Sequence, residues 1–430
     1  MAVIISVMIA INSCKRIEIE NIYPGHGNPR ESAHIVTEWY NLEMQMLLQK
    51  NSLMTGDSYA YLGIGLYESV RHGVKNSVSL STQLYQMPAM PSIENYKSYN
   101  WQVSANAVMA DQLRSFNTGL TPVNLAGIDS LENLFNQILE PACGTPTYNR
   151  SRAFGKSIAA AVHAWSLSDN FNKSNVEYVP PVFFGAWVPA PPFFANGVNP
   201  YIGEAKVMLA ANEMKMGPPF SAAYSEVPGS DFYNIVKKVY AVSKILTDEQ
   251  KRIALFWVDQ GDGVGVTNHA HDFSLVTQAL INQNSNLYEA AEAYAKGGIA
   301  EREAAILCFR MKYKYNVMRP VTYIKKVIDP LWQPFIITPP HPEYPAAHAF
   351  VTGSVMEAVS TVLRNNVSIT DHTYDFRGWS PRTFSTLIKA AEEAGISRLY
   401  GGIHYLPSIE MGLSQAHELS KEIVKVRLYY

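Results

Sequence analysis

Residues 343–354 read EYPAAHAFVTGS. Proline fits the first turn of an α-helix, because the N–H it lacks is one that a helix leaves without an intrahelical partner. Pro345 is therefore expected in the first turn of a helix, with Ala346, Ala347 and His348 beside it. Small side chains let an anion approach the free N–H groups, and the helix dipole favours negative charge there. An imidazole at the same point can move a proton. Taken alone, the stretch is equally served by a helix whose histidine meets solvent or a carboxylate.

Two further stretches carry matching chemistry. In KYKYNVMRP, residues 312–320, the positions Ala305, Cys308, Lys312, Tyr315 and Arg319 follow a 3-4-3-4 spacing that places them on one helical face. Pro320 disfavours helical geometry at Arg319, so the helix is expected to end there and free the guanidinium. In SRLYGGIHY, residues 397–405, Arg398 and His404 bracket a Gly-Gly pair that can bend the chain and bring both to one point. Ser408 reads as the N-cap of the helix that follows. Lys312, Arg319 and Arg398 together supply three cations, two of them planar forks suited to an oxyanion. His348 and His404 add an acid/base group and a nucleophile or metal-oxyanion ligand.

The rest of the chain reads as one large helical domain. Apolar residues recur with a helical period near 35–46, 62–70, 127–140, 152–168, 229–258, 286–318, 346–365, 383–395 and 408–427. VPPVFFGAWVPAPPFF, residues 179–194, holds too many prolines for a helix or a central strand and reads as an ordered aromatic loop. Among 430 residues, 35 Lys+Arg balance 37 Asp+Glu for a net charge of −2, which gives no field for nucleic acid. Three cysteines without a CxxC pair suggest neither a disulfide framework nor a zinc site. MAVIISVMIAINSC, residues 1–14, has signal-peptide length and is too short to span a bilayer. Its end resembles a bacterial lipoprotein signal, with Cys14 as the lipidated residue. The expected division is 1–14 signal segment, 15–228 N-terminal helical half, and 229–430 helical bundle carrying the oxyanion site.

These motifs resemble those of the superfamily of vanadium-dependent haloperoxidases and type 2 phosphatidic acid phosphatases. The patterns K-x6-RP, P-S-G-H and SR-x5-H stand here as Lys312…Arg319-Pro320, Pro345-Ala346-Ala347-His348 and Ser397-Arg398…His404. FWVDQGDG (256–263), AWVPAPP (186–192) and TPPHPEYPAAHA (338–349) are similar to segments of the haloperoxidase branch. The resemblance implies an all-α fold of two four-helix bundles with the site in the second. It implies that His404 bonds vanadium or attacks phosphorus, and that His348 is the acid/base. It assigns Lys312, Arg319, Arg398 and the Ala346–Ala347 segment to the oxyanion, and Asp259 to a carboxylate pairing with the arginines.

Two departures stand out. Ala346 replaces the serine of the motif, and Ser408 occupies the place, four after the histidine, where an aspartate is usual. A carboxylate beside His404 would orient its ring; without the aspartate, a backbone carbonyl or Glu410 is expected to serve.

Three functions follow from the resemblance. The first is a haloperoxidase that holds vanadate at His404 and uses hydrogen peroxide to oxidise a halide. The second is an acid phosphatase acting on a phosphate ester, with phosphate in the same site. The third is a surface lipoprotein that binds an oxyanion without turnover. The expected setting is the periplasm or the outer membrane of a bacterium, with a homodimer the candidate assembly.

Overall fold

Helical periodicity becomes helix along most of the chain. The computed structural model describes residues 31–48, 55–117, 119–170, 177–259, 265–363 and 368–428. The signal segment with Cys14 lies outside the described residues. The first half holds α1 (His34–Leu48), α2 (Gly56–Val70), α3 (Trp101–Phe116), α4 (Pro122–Cys143) and α5 (Thr145–Ser166). Then come α6 (Asp231–Lys244), α7 (Asp248–Phe256), α8 (Asn268–Asn282) and α9 (Leu287–Tyr315). The last are α10 (Pro320–Val327), α11 (Ala347–Ser360), α12 (Leu387–Tyr400) and α13 (Leu406–Ile423). Two short antiparallel strands, β1 (Ile369–Asp371) and β2 (Arg382–Phe384), pair with Ile369 opposite Phe384. Among the described residues no helix is long and apolar enough to cross a membrane.

α9 is the axis of the molecule. Its residues from Leu287 to Cys308 are buried almost without interruption, as befits a helix surrounded on every side. On one side it meets α2 at backbone contact. A methyl group on Gly63 would lie 2.3 Å from the Tyr294 carbonyl oxygen, and one on Gly298 would lie 2.6 Å from that of Tyr59. Glycine at both positions is what lets the helices touch. α2, α3, α4 and α5 pack as one group; on the other side α9 packs with α11 and α13, and these two pack with α12.

Several boundaries differ from the sequence reading. The period over 229–258 is two helices, because Thr247 opens α7 with a capping box: its hydroxyl accepts from Gln250 N, and its own N–H donates to Gln250 Oε1. α3 carries no simple apolar stripe, since polar residues such as Asn106 are buried within it. Asn106 is satisfied by Trp39 Nε1 and the Glu132 carbonyl, partners that only the tertiary fold supplies.

The elements around the candidate site shift in a consequential way. α9 ends at Tyr315, with Asn316 in the left-handed region at φ 48°, and Arg319 caps α10. Lys312 and Arg319 therefore do not share one helical stripe; the chain unwinds between them. The aromatic loop is pinned to that break, with Trp187 N donating to the Asn316 carbonyl and Met318 N to that of Gly185. α11 begins at Ala347, two residues after Pro345. α13 begins at Leu406 behind Tyr405, which places Ser408 inside its first turn instead of at its cap.

Candidate active site

Each side chain expected at the oxyanion comes from a helix end or the loop beside it. His348, Arg398, His404 and Ala347 line one cavity of about 570 Å³, together with Asp259 and His341. Apolar residues including Pro192, Phe193, Phe309 and Ile336 form much of the remaining wall. His404 reaches this cavity because the chain reverses at Gly402, whose φ of 76° and close approach to Trp332 and Pro334 suit glycine alone.

Lys312, Arg319 and Ala346 stand behind that wall. A buried ammonium must fill its three donors, and Lys312 Nζ does so with the carbonyls of Pro342, Glu343 and Pro345, at 3.0, 3.0 and 2.5 Å. In this arrangement Lys312 holds the 342–345 loop and has no N–H left for an oxyanion. Arg319 is buried and donates from Nε to the His341 carbonyl at 2.9 Å, and from NH1 to that of Ile403 at 2.8 Å. Its NH1 also lies 3.1 Å from His404 Nε2, and its NH2 lies 3.0 Å from His341 Nδ1. Ala346 is fully buried, and its N–H donates to the Ser408 carbonyl at 3.0 Å, so this amide is not available to an anion. Ala347, one residue on, faces the cavity.

Arg398 is the cation on the cavity wall. It donates to Ser397 Oγ from Nε and to the Trp257 carbonyl from NH2. A guanidinium carries five N–H groups, so three remain for a bound anion.

His348 and His404 each have a carboxylate behind them. His348 Nε2 lies 3.2 Å from Asp259 Oδ2, but the two are not aligned for a hydrogen bond. Asp259 Oδ1 accepts from Tyr374 at 2.7 Å and meets His271 Nδ1 at 2.8 Å. His271 Nε2 meets Asp371 Oδ2, also at 2.8 Å. Asp259 therefore contacts two histidines and a tyrosine, and its charge also acts on Arg398 without a direct contact. Against burial, Asp259 and then Asp371 hold the His271 imidazole well above its ordinary pKa. Burial and then Arg398 push His348 the other way, to about 4, against the pull of Asp259.

His404 Nδ1 lies 2.8 Å from Glu343 Oε1, which also accepts from Tyr405 N at 2.9 Å. Glu343 Oε2 accepts from Ser408 Oγ at 2.6 Å. Burial, Arg319 and Lys312 keep His404 well below the usual histidine pKa, hence neutral. Glu410, expected as a substitute carboxylate, is exposed on the far side of α13's first turn. Glu343, His271, Asp371 and Tyr374 had not been singled out in the sequence. Glu343 opens the decisive stretch, yet its partner lies 61 residues away, and no local spacing announces it.

A tetrahedral or trigonal-bipyramidal oxyanion such as vanadate fits this donor set. Arg398 offers free N–H groups and Ala347 a first-turn position, while His404 Nε2 is unprotonated beside them. His348 Nε2 and Asp259 Oδ2 are buried polar atoms 3.2 Å apart, neither with an aligned hydrogen-bond partner.

Comparison with known proteins agrees with this geometry. Residues 326–430 match the family model of the second helical-bundle domain of VCPO. That span includes His348, Arg398 and His404 but not Lys312 or Arg319. A bacterial vanadium-dependent iodoperoxidase superposes with a TM-score of 0.83 at 27% identity, over 94% of this chain and 99% of that one. The holo form of a bacterial vanadium-dependent chloroperoxidase superposes at 0.63 with 14% identity, over 87% of this chain and 93% of its own. An apo-type bacterial chloroperoxidase gives 0.59 and 14%, over 95% and 96%. These two show likeness of fold. No curated protein sequence matches the chain.

Proposed function

We propose that this chain, which belongs to the vanadium haloperoxidase superfamily, is a vanadate-dependent haloperoxidase oxidising a halide with hydrogen peroxide. The observation that carries the reading is the neutral His404 Nε2 together with Arg398 and the Asp259-backed His348 in one cavity. Vanadate, when bound, supplies the Lewis-acid centre at which peroxide becomes reactive toward halide. His404 would hold it through Nε2, whose lone pair would exchange the Arg319 NH1 hydrogen bond for the metal. Arg398 would donate to its oxygens, and the buried charges of Arg319 and Lys312 offset its negative charge from behind the wall.

Oxidation of a halide by peroxide to a hypohalous acid consumes one proton. His348 stands where that proton must arrive, with Asp259 at its back to stabilise the imidazolium. The phosphatase reading gains no support from the matching family model or structures, all of them of the haloperoxidase branch.

The test is an assay of purified protein with and without vanadate, for peroxide-dependent oxidation of iodide and bromide and for aryl-phosphate hydrolysis. Iodide is the first halide to try, given the similarity to an iodoperoxidase. Halide oxidation that requires vanadate supports the proposal. Hydrolysis inhibited by vanadate, or anion binding without turnover, overturns it. Export with a lipid anchor at Cys14 belongs to the same proposal; radiolabelled palmitate incorporation that survives Cys14→Ser would remove it.

A further inference from the structure

We propose that Glu343 is the carboxylate that orients His404 and makes its Nε2 a metal ligand, with Ser408 serving as the hydroxyl partner of that carboxylate. The inference rests on the haloperoxidase reading and assigns a positioning residue within it.

The geometry argues in three steps. Arg319 NH1 can only donate, and it points at His404 Nε2 from 3.1 Å, so that nitrogen carries no proton toward it. The ring proton therefore sits on Nδ1, where Glu343 Oε1 accepts it at 2.8 Å. Glu343 is itself fixed: its N–H donates to the Val317 carbonyl, and its own carbonyl accepts from Lys312. The buried ammonium thus locks the loop that holds the carboxylate.

Ser408 completes the arrangement. Its hydroxyl donates to Glu343 Oε2 at 2.6 Å from the first turn of α13. A second carboxylate at position 408 would face the first at contact, and two buried like charges at that range do not both ionise. The site accommodates one carboxylate and one hydroxyl. Here the charge stands on the loop ahead of α11 and the hydroxyl on α13. Four residues after His404 stands serine, and the carboxylate comes from position 343.

A carboxylate behind a ligating imidazole raises the basicity of the opposite nitrogen, but its negative charge repels an anion held by electrostatics alone. Glu343→Gln keeps the side-chain shape and removes the charge. Orthovanadate and inorganic phosphate titrated calorimetrically should therefore respond in opposite senses. Vanadate, which needs a bond to Nε2, should bind about 10- to 100-fold more weakly, the usual cost of losing such a partner. Phosphate should bind as tightly as in the parent or more tightly. The double variant Glu343→Gln/Ser408→Asp returns the charge from the other side and should recover vanadate affinity.

Equal weakening of both anions would show a merely structural role and overturn the inference. So would unchanged vanadate affinity in Glu343→Gln, or no recovery in the double variant. If the parent binds no vanadate, the haloperoxidase reading falls separately. Nitrogen-15 NMR then decides the inference alone: a His404 proton on Nε2 in the parent protein would overturn it.

Discussion

Arg319 donates from NH1 to His404 Nε2 across 3.1 Å, and the same guanidinium holds the carbonyls of His341 and Ile403. Four of its five N–H groups are thus committed within the protein, against two for Arg398. The two arginines should fail differently. Arg319→Ala orphans two buried carbonyls and should cost about 2–6 kcal/mol of stability, at 1–3 for each, as read by urea unfolding. Arg398→Ala should weaken phosphate or vanadate binding by about 1.5–3 kcal/mol, the range for a hydrogen bond to a charged group, as read by calorimetry.

The histidines should separate in the same way. His404→Ala removes the nitrogen expected to bond vanadium, and vanadate-dependent oxidation should disappear with vanadate affinity. His348→Ala should still bind vanadate while turnover slows roughly 10²- to 10⁴-fold, the usual contribution of general acid–base catalysis. Parallel binding and steady-state measurements on both variants check the assignment.

Asp259 makes the acid side of the stability profile. Burial pushes its carboxyl up, but His271 and then His348 prevail and hold it well below the ordinary 3.8. A carboxyl with a depressed folded pKa contributes stability that is fully present above about pH 4 and is lost as pH falls through the folded value. Asp259→Asn should therefore destabilise equally at pH 7 and pH 5, and the gap from the parent should begin to narrow below about pH 4. Urea unfolding at pH 7, 5 and 3 measures this; a constant gap contradicts it.

Gly412 sets the distance between α13 and the first turn of α11. A methyl group there would lie 2.7 Å from Ala349 Cβ and 2.8 Å from the Ala346 carbonyl oxygen. Gly412→Ala must push α13 away from the turn that carries His348, at about 1–3 kcal/mol for an overpacked contact. Lower urea stability together with a lower turnover number is the expected result, since the same shift moves His348 relative to His404.

What the sequence determined by itself was everything that fits inside one element. The 3.6-residue period lay open in most helices, and Lys312, Arg319, His348, Arg398 and His404 stood out once three short stretches were read together and with the family resemblance. Even here, local reading ran past the break at Asn316 and missed α3, whose buried polar residues depend on partners in other helices.

Only the tertiary structure decided which charged group meets which. Glu343 finds His404 across 61 residues, and His271 finds Asp371 across 100. Lys312 turns from the anion to three backbone carbonyls, because a buried ammonium takes whatever acceptors the packed loop presents. Such pairings depend on distance and burial in the folded chain, which local spacing does not encode. Glu343 thus stands beside the His404 ring although no acid lies four residues after that histidine.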